Sequence, residues 1–409
     1  MNSGGKQVVI ISQSHLCRNP RVYKEATALA TAGYKVSIIT TIYADDLLQQ
    51  DVELLKGTGI QYLYAADLRH KSYRNMRLRL LRRISVNLVK WLGWQLPSAL
   101  GYAIRGYFSL INKLPADIYI AHQELPLYIG CQLLRKGKRV AFDIEDWYSE
   151  DLLPSAQKQR PIALLKQLER FALKNGTTVY TTSQAMAKAL AGAYQTPRPA
   201  VIYNTFNGKV ANPIRYKDRV DLSRPSLFWF SQTLGPGRGI EILLEALTLV
   251  QQPVELHLRG NCSEAYKILL FALMERCTQH QLYLHGLVGA DELNERIQEH
   301  DIGLALEPND PPNKNLTASN KLFQYLVNGL PAIISPTLGQ LEVARLAAAS
   351  VFIATGFSAD VLAHTINGIL ASPQIFEQAR EALPCVIKFI NWNAEQHKLV
   401  QLIAQAIEK

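Results

Sequence analysis

Short continuous runs of apolar residues alternate along the chain with longer stretches in which apolar residues recur at helical spacing. The runs predict thirteen β-strands, at 7–12, 35–41, 60–65, 117–121, 139–143, 178–182, 200–203, 226–231, 253–259, 281–285, 301–306, 331–335 and 350–353. The periodic stretches predict helices between most of them, for example over 21–32, 183–192, 239–250 and 290–299. Apolar strands separated by helices are typical of parallel sheets covered on both faces. The pattern therefore predicts an α/β fold.

One interruption in this pattern suggests a division into domains. Residues 204–226 lack apolar periodicity and are rich in Asn, Pro and charged residues, which is typical of a linker. We therefore predict two Rossmann-like domains, residues 1–204 and 205–390, with the carboxyl ends of their parallel strands facing a central cleft. The periodic tail 393–408 predicts a helix, within a final segment 391–409, that crosses back to the first domain.

Length and composition are those of a globular chain, with 409 residues of which 48% are hydrophobic and 19% charged. The five cysteines lie far apart and lack the spacing of zinc ligands, which favours reduced core thiols in a reducing compartment. The N-terminus leads directly into a strand and lacks the apolar core of a signal peptide. We therefore expect a cytoplasmic protein.

The net charge of +10 has its origin in one segment, 69–113. Ten of the 44 basic residues lie there without any acidic residue, and the remaining 34 balance the 34 acidic residues of the chain. At 100° per residue, one arc of a helix carries apolar residues and the opposite arc carries basic ones. The apolar residues are Leu80, Leu81, Ile84, Leu88, Trp91 and Leu92, and the basic ones are Arg79, Arg82, Arg83 and Lys90.

Two interpretations of this basic helix remain open. It can lie on an anionic membrane surface, because each basic residue near such a surface contributes about 1 kcal/mol. Alternatively, the apolar arc packs on the domain core and the arginines are solvated. The uncharged stretch that follows is too short to cross a membrane. No nucleic-acid-binding motif accompanies the charge, so we expect no nucleic acid partner.

A glycine-rich turn follows the predicted strand 226–231. Gly235, Gly237 and Gly239 allow the backbone to approach a ligand closely, and the helix after them offers unpaired N–H groups. Arg238 adds a full positive charge. Such a turn suits a phosphate group, although Arg238 could equally be a solvated residue.

A second helix start, after strand 301–306, has the same character. Ser319 or Asn320 can cap a helix that places Lys321 in its first turn. A lysine there is unfavourable for the helix dipole, which points to a bound anion, the alternative being a solvated lysine. Two such helix starts in one half of the chain suggest a nucleotide diphosphate.

These segments resemble the family-4 glycosyltransferases of the GT-B fold. The resemblance rests on GPGRGIEILLEAL around Arg238, on NKLFQYLVNGLP from Asn320 and on NPRVYKEATALATAGYKVSIIT over 19–40, and it extends to DIYIAHQELPLYIG and AFDIEDWYSED. It implies that the C-terminal domain binds a nucleotide sugar and the N-terminal domain an acceptor. It also implies transfer with retention of the anomeric configuration, with no metal and no cofactor beyond the donor.

The resemblance also implies roles for individual residues. Arg238 and Lys321 would hold the diphosphate, and His122, which follows strand 117–121, would contact the transferred sugar unless its role is structural. The rest of the donor site would consist of Gly237, Gly239, Asn320, Leu322, Phe323 and Gln324. Glu145 and Asp146 would face the acceptor or cap their loop, and Arg18 and Arg21 are available to an anionic ligand.

The chain departs from the family pattern at three positions. Two glutamates found in many members are replaced by Leu316 and Gln324, and an arginine before the glycine turn is replaced by Gln232. Gln324 can still hydrogen-bond ribose hydroxyls, but as a neutral amide it accepts more weakly than a carboxylate. The departures leave the identity of the donor open. The expected donor is a sugar linked to UDP, GDP or a similar nucleotide.

Three functional interpretations follow. The leading one is a retaining, hexosyltransferase-type enzyme at the inner face of the cytoplasmic membrane. It would act on a lipid-linked or saccharide acceptor in the synthesis of a cell-surface polysaccharide or lipopolysaccharide. The second is a non-catalytic GT-B protein that binds a nucleotide sugar or a partner enzyme. The third and least favoured is a nucleotide-sugar 2-epimerase.

Overall fold

The computed structural model describes residues 5–208, 214–219 and 221–409. They divide into two compact units. The N-terminal unit contains the residues up to 202 together with 311–313 and 396–409, and the C-terminal unit contains 203–310 and 314–395. Parts of the predicted linker, residues 209–213 and 220, lie outside the described residues, as do residues 1–4.

The N-terminal unit is a parallel sheet with helices. Its strands are β1 (Gln7–Ile11), β2 (Lys35–Ile42), β3 (Gln61–Asp67), β4 (Ile118–His122), β5 (Val140–Ile144), β6 (Thr178–Thr181) and β7 (Ala200–Val201). Its helices are α1 (Pro20–Thr31), α2 (Asp45–Leu55), α3 (Tyr73–Leu92), α4 (Ile104–Ile111), α5 (Glu124–Arg135), α6 (Pro154–Gln157), α7 (Ile162–Asn175) and α8 (Gln184–Tyr194). The seven strands are ordered β3-β2-β1-β4-β5-β6-β7.

The C-terminal unit repeats this design. Its strands are β8 (Ser226–Leu234), β9 (Glu255–Cys262), β10 (Gln281–His285), β11 (Ile302–Ala305), β12 (Ala332–Ile334) and β13 (Val351–Ile353). The helices that follow β8 are α9 (Ile240–Leu247), α10 (Glu264–Met274), α11 (Ala290–Gln298), α12 (Pro312–Leu316), α13 (Asn320–Val327), α14 (Leu338–Leu346), α15 (Ala359–Leu370), α16 (Pro373–Ile387) and α17 (Trp392–Glu408). The six strands are ordered β10-β9-β8-β11-β12-β13, and all pairs are parallel.

Strand order reverses direction at the first strand of each unit. β1 lies between β2 and β4, and β8 lies between β9 and β11. In open α/β sheets, ligands bind outside the carboxyl ends of the strands at such a reversal. Of the candidate residues, His122 ends β4, Arg238 follows β8 and Lys321 follows β11, so these three belong to strands at the two reversals.

The predicted α/β class with two Rossmann-like halves is confirmed, and all thirteen predicted strands are present with shifted ends. Every residue of β4, β5, β11 and β12 is buried, as expected for strands covered on both faces. β8 runs to Leu234, three residues beyond the predicted end, and its pairing with β9 shifts register between Phe230 and Thr233.

The predicted linker is anchored to the C-terminal unit by one buried arginine. The Arg219 side chain is almost inaccessible, and its Nε donates to Glu255 Oε2 at 3.0 Å. Its Nη1 donates to Asp301 Oδ2 at 2.9 Å and to Ser226 Oγ at 2.8 Å. This arginine therefore joins the starts of β8 and β9 to the residue that precedes β11, although its neighbours in sequence suggested a solvated loop.

Helix α3 is the predicted basic amphipathic helix, and its apolar arc faces outward. The helix begins after Ser72, whose Oγ accepts from the Asn75 N–H at 3.2 Å, and ends at Gly93 with φ 69°. Its buried residues are Asn75, Ser85 and Val89. The exposed apolar residues are Tyr73, Met76, Leu80, Leu81, Ile84, Trp91 and Leu92. The interpretation in which this arc packs on the domain core is therefore wrong. Among the described helices, none is both long and apolar enough to cross a membrane.

Three histidines form a buried group in the C-terminal unit. His257 Nδ1 lies 2.9 Å from His285 Nε2, and the His257 and His300 ring centroids are 4.6 Å apart. His300 stacks on Phe228 at 4.3 Å, and neither of its nitrogens has a hydrogen-bond partner among the described residues. Burial, neighbouring histidines and Arg219 lower the pKa of His300 well below its usual value, and burial with His285 lowers that of His257 to about 3.

We expect these histidines to make stability fall in weak acid. The folded chain keeps them neutral, whereas the unfolded chain binds protons below a pKa of about 6.5. Stability is therefore complete above that pH and is lost as pH falls below it. His300→Phe keeps the aromatic stack and removes one titrating ring, so at about pH 5 it should recover about 2 kcal/mol of the loss. Chemical denaturation at several pH values measures this, with exposed His364→Phe as the control. An equal pH dependence in wild type and His300→Phe would contradict the prediction.

Candidate functional site

The glycine turn between β8 and α9 is open at Gly235 and Gly237, but at Gly239 an added Cβ would lie 3.0 Å from the Phe357 ring. Gly237 and Gly239 have positive φ, 73° and 81°, and Gly239 caps α9 without a side-chain hydrogen bond. A Cβ added at Gly235 or Gly237 would meet nothing within 4 Å. The turn therefore leaves room at Gly235 and Gly237 for an anion to approach the start of α9.

Arg238 lies on the exposed surface of this turn. Its Nη1 donates to Ser231 Oγ at 3.0 Å. The other charged group near the helix start is Glu241, which accepts a hydrogen bond from the Tyr266 hydroxyl at 2.7 Å. Since the Ser231 hydroxyl is neutral, the Arg238 guanidinium keeps its charge available to an anion.

Lys321, in the first turn of α13, is held by a carboxylate. Its Nζ lies 2.5 Å from Glu307 Oε1 and 5.2 Å from the centroid of the Trp229 ring. Ser319 Oγ donates to the same Glu307 oxygen at 3.2 Å. Burial raises the pKa of Glu307, but Lys321 and Lys314 outweigh it and hold that pKa below its usual value. Glu307, which follows β11, was missed in the sequence because a single acid after a strand carries no motif.

The other predicted donor residues differ in what they offer. Asn320 is exposed at the helix start, and Gln324 is half-buried. Leu322 and Phe323 have buried side chains, so only their backbone could contact a ligand. The Phe323 N–H already donates to the Ser319 carbonyl at 3.4 Å. The anion-binding capacity of α13 therefore rests on the N–H groups that precede Phe323.

In the N-terminal unit, Arg21 lies inside a network of charges. Its Nε pairs with Asp143 Oδ2, its Nη2 donates to Asp143 Oδ1 at 3.0 Å, and its Nη1 donates to the Ile202 carbonyl at 3.0 Å. Glu25 Oε1 lies 3.3 Å from the Arg21 Nε. The side chain is almost inaccessible, so Arg21 is not available to an anionic ligand, contrary to the expectation from sequence. Arg18, directly before the buried Asn19, is exposed.

His122, the last residue of β4, belongs to the same network. Its Nδ1 lies 2.9 Å from Glu145 Oε1 and 3.1 Å from Asp143 Oδ2, and its Nε2 lies 3.3 Å from Glu25 Oε2. Burial alone would lower the pKa of His122, but these carboxyl groups raise it well above its usual value. The imidazole is fully buried. The contact between His122 and a sugar therefore stays a prediction, and in this structure no face of the ring is presented to one.

Glu145 is the exposed end of the network. Its side chain is 17% accessible, and its two oxygens accept from Asn19 Nδ2 at 3.1 and 3.3 Å. Asp146 instead accepts from Asn313 Nδ2 at 2.8 Å. Of the two predicted acceptor-side acids, Glu145 is therefore connected to His122, and Asp146 holds the segment 311–313 in the N-terminal unit.

Backbone strain marks the turn after His122. Gln123 has φ 72° and ψ 177°, a conformation that favours glycine. Its Oε1 accepts from the Gln13 N–H at 3.0 Å, and its own N–H donates to the Tyr148 hydroxyl at 3.0 Å. These bonds hold the strained turn in place. Strain of this kind concentrates at functional sites, and apolar patterning gives no sign of it.

Glu25, His122 and Asp143 could in principle hold a metal ion, because their ligand atoms lie within 4.8 Å of one another. However, the guanidinium of Arg21 is paired with Asp143. Arg21 therefore supplies the positive charge that a metal ion would bring, and the residues fit an internal ion network better than a metal centre.

Comparisons with known proteins agree with this geometry. Residues 20–207 match Glycosyltransferase Family 4. A glycosyltransferase from Rickettsia africae ESF-5 is 14% identical with a TM-score of 0.67, each chain covering 99% of the other. Anabaena HepE, solved with UDP and glucose, is 14% identical with a TM-score of 0.65, and the match covers 98% of this chain and 99% of that one.

A third solved structure is similar over nearly its whole length. WaaG, a glycosyltransferase involved in lipopolysaccharide biosynthesis, is 13% identical with a TM-score of 0.61, and the match covers 97% of this chain and 99% of that one. No curated protein sequence matches the chain. At these identities the structural likeness shows the fold alone, and the roles of single residues have to be argued from the site itself.

We expect Arg21 and Arg18 to behave very differently when replaced. Arg21→Met leaves Glu25 and Asp143 buried without their cation, which should lower the free energy of unfolding by about 3–5 kcal/mol. Arg18→Met, at an exposed position, should change it by less than about 0.5 kcal/mol. Urea unfolding of both variants measures the difference. Equal, small effects would show that the buried network does not hold the N-terminal unit together.

Proposed function

Because this chain is a family-4-like glycosyltransferase of the GT-B fold, we propose that it transfers a hexose from a nucleotide-diphosphate sugar with retention of the anomeric configuration. The observation that carries the proposal is the pair of helix starts after β8 and β11, each with a basic side chain in or beside its first turn. Anabaena HepE, of the same fold, is solved with UDP and glucose, which supports a nucleotide sugar as the donor.

The chemistry required of these groups is to stabilise the leaving diphosphate. As the bond to the anomeric carbon breaks, negative charge develops on the diphosphate oxygens. Fixed N–H groups at the start of α9, together with Arg238 and Lys321, stabilise that charge without reorganisation. The donor nucleotide is therefore held mainly by the C-terminal unit, and no metal is needed for this step.

A donor diphosphate that binds Lys321 must compete with the Lys321–Glu307 ion pair. A diphosphate oxygen that reaches Lys321 takes over part of the interaction that Glu307 Oε1 makes at 2.5 Å. Glu307 keeps its hydrogen bond from Ser319, so its charge is not left without a partner. Lys321 is thus held in position before the donor arrives, which reduces the entropy lost on binding.

On the acceptor side we propose Glu145 as the contact residue and His122 as the residue that positions it. The partly accessible carboxylate of Glu145 can accept a hydrogen bond from an acceptor or sugar hydroxyl. The buried imidazole, with its raised pKa, fixes one Glu145 oxygen at 2.9 Å. Acceptors of this kind include lipid-linked or saccharide intermediates in the synthesis of a cell-surface polysaccharide or lipopolysaccharide.

A non-catalytic, nucleotide-sugar-binding protein is the second candidate. The observation that favours it is the replacement of two family glutamates by Leu316, which is buried, and Gln324. Both candidates bind a nucleotide sugar, but only the enzyme turns it over. A screen of UDP- and GDP-sugars for hydrolysis, with the anomeric configuration of any transfer product read by NMR, separates them.

We expect Arg238→Ala and Lys321→Ala each to weaken nucleotide-diphosphate binding by about 10- to 150-fold, because each removes one charge-assisted contact of about 1.5–3 kcal/mol. Calorimetry with the diphosphate measures the affinity, and turnover should fall in parallel. Arg276→Ala, at an exposed position of the same unit, is the control. Unchanged affinity in both variants would remove these residues from the donor site.

We further propose that the protein associates peripherally with the inner face of the cytoplasmic membrane through α3. The exposed residues of this helix include both basic side chains and large apolar ones, with Trp91 73% and Leu80 57% accessible. Such a helix lies in the interface of an anionic bilayer, with its apolar side chains among the acyl chains and its charges at the headgroups. An acceptor carried by a lipid would be reached from this position.

Replacing Arg79, Arg82 and Arg83 together by glutamate should release the protein from anionic vesicles. Each changed residue loses about 1 kcal/mol of attraction and gains repulsion. Nucleotide binding should not change, since the basic helix belongs to the N-terminal unit and the proposed donor groups to the C-terminal unit. Vesicle flotation with calorimetry measures both. Wild-type flotation of the triple variant, or no flotation of wild type at low salt, would contradict the membrane proposal.

A further inference from the structure

Beside the exposed apolar arc of α3 there is a shallow concavity of about 190 Å³. Its lining residues are Arg79, Arg82, Arg83, Val86, Asn87 and Tyr102. At 100° per residue, the α3 members of this set occupy the arc between the buried face, with Val89, and the exposed apolar arc that begins at Leu80. The concavity therefore lies next to the surface proposed to contact the bilayer.

The three arginines of the concavity lack an ion-pair partner in the described part of the chain. None forms an ion pair with any carboxylate among residues 5–208, 214–219 and 221–409, and the sequence has no acidic residue between Asp67 and Asp117. Arg79 is fixed by a hydrogen bond from its Nη2 to the Leu68 carbonyl at 2.8 Å. Arg82 interacts electrostatically with Glu124, but that carboxylate is already paired with Arg160. Three neighbouring guanidinium groups that lack an ion-pair partner repel one another and favour a bound anion.

Arg82 is the most firmly placed of the three. Its guanidinium carbon lies 4.6 Å from the centroid of the Tyr102 ring, a cation–π contact. Its Nε is buried and has no hydrogen-bond partner in the described part of the chain. The contact with Tyr102 therefore fixes the plane of the guanidinium that lines the concavity.

The ring that Arg82 stacks on is followed by a strained residue. Ala103 has φ 58° and ψ 40°, in the left-handed region that non-glycine residues rarely adopt. The Ala103 carbonyl accepts a hydrogen bond from the Gly106 N–H at 2.8 Å. Ala103 is thus the N-cap of α4 and connects that helix to Tyr102. The backbone is thus held in an unfavourable conformation beside the concavity, as is common where a chain positions a side chain for a ligand.

We propose that this concavity binds the phosphate group of a membrane lipid whose headgroup carries two negative charges, a phosphomonoester or a diphosphate. Planar guanidinium groups donate pairs of parallel hydrogen bonds to phosphate oxygens. Asn87 and Tyr102 add neutral donors. The adjoining apolar arc favours a phosphate attached to acyl or prenyl chains over a soluble one. The inference rests on the proposed membrane contact and adds to it a recognition site for one class of headgroup.

The test uses the full chain and two sets of phosphatidylcholine vesicles matched in surface potential. One set contains phosphatidic acid, a phosphomonoester, and the other phosphatidylglycerol, a phosphodiester, at about pH 8 so that the monoester carries two charges. The wild type should bind the phosphatidic acid vesicles about tenfold more tightly. Equal binding to both would overturn the phosphate site and leave the membrane proposal standing, and binding to neither would overturn both.

A matched pair of variants tests whether the preference for phosphatidic acid vesicles depends on this concavity. Arg82→Lys keeps the charge but loses the planar fork and the stacking on Tyr102, so it should abolish the tenfold preference while changing phosphatidylglycerol binding by less than about twofold. Arg77→Lys, the same change at an exposed position outside the concavity, should keep the preference. Loss of the preference in both variants or in neither would overturn the assignment to this concavity.

A further experiment distinguishes binding of a lipid phosphate from binding of a free phosphate. Calorimetry without vesicles, using inorganic phosphate and glycerol 3-phosphate as probes, should show binding at least about tenfold weaker than to phosphatidic acid vesicles. If free phosphate binds as tightly as the vesicles do, and if this binding depends on Arg82, the proposal of a lipid ligand is wrong and the site binds a soluble anion. Far-UV circular dichroism confirms that each variant is folded.

Discussion

Parallel strands buried on both faces have room for polar chemistry only at their ends, and this constraint positions the candidate groups of both units. β4, β5, β11 and β12 contain no exposed residue. The polar groups therefore appear where these strands end: His122 closes β4, Glu145 follows β5, and Glu307 follows β11. Because strand order reverses at β1 and at β8, these ends border the two places where an open sheet leaves a crevice.

Each unit also contains one buried arginine that joins distant segments through carboxylates. Arg21 connects α1 to β5 through Asp143, and Arg219 connects the segment before β8 to Glu255 and Asp301. Removing such a cation leaves buried carboxylates uncompensated, which costs far more than the pair gains over an apolar substitute. In the N-terminal unit the network also fixes the charge state of His122. Burial and the Asp143 carboxylate raise the pKa of Glu25, and the carboxyl groups around His122 raise the pKa of its imidazole against the effect of burial.

The fold could be predicted from the sequence because continuous apolar runs have one stable arrangement, and each of the thirteen runs became a strand. The site could be predicted only in part. Glycine turns and helix starts are local features, so the sequence alone points to Arg238 and Lys321 as candidates. The carboxylate that holds Lys321 follows a different strand, and the burial of Arg21 depends on Asp143, 122 positions away. Pairings of that kind come from the tertiary fold, and so does the strain at Gln123, which is set by hydrogen bonds to Gln13 and Tyr148.

Charge acts in two different ways on this chain. At the proposed donor site Lys321 is paired with Glu307, and only the exposed guanidinium of Arg238 and the helix N–H groups remain to attract an anion. Attraction there depends on geometry at contact distance and is little screened by salt. In the segment 69–113, which includes α3, ten basic residues occur without an acidic residue, so their field extends outward and is reduced by salt over about 8 Å. The net charge of +10 therefore has its origin in the surface around α3. It gives no information about the proposed donor site, where Lys321, a cation that would bind the diphosphate, is ion-paired with Glu307.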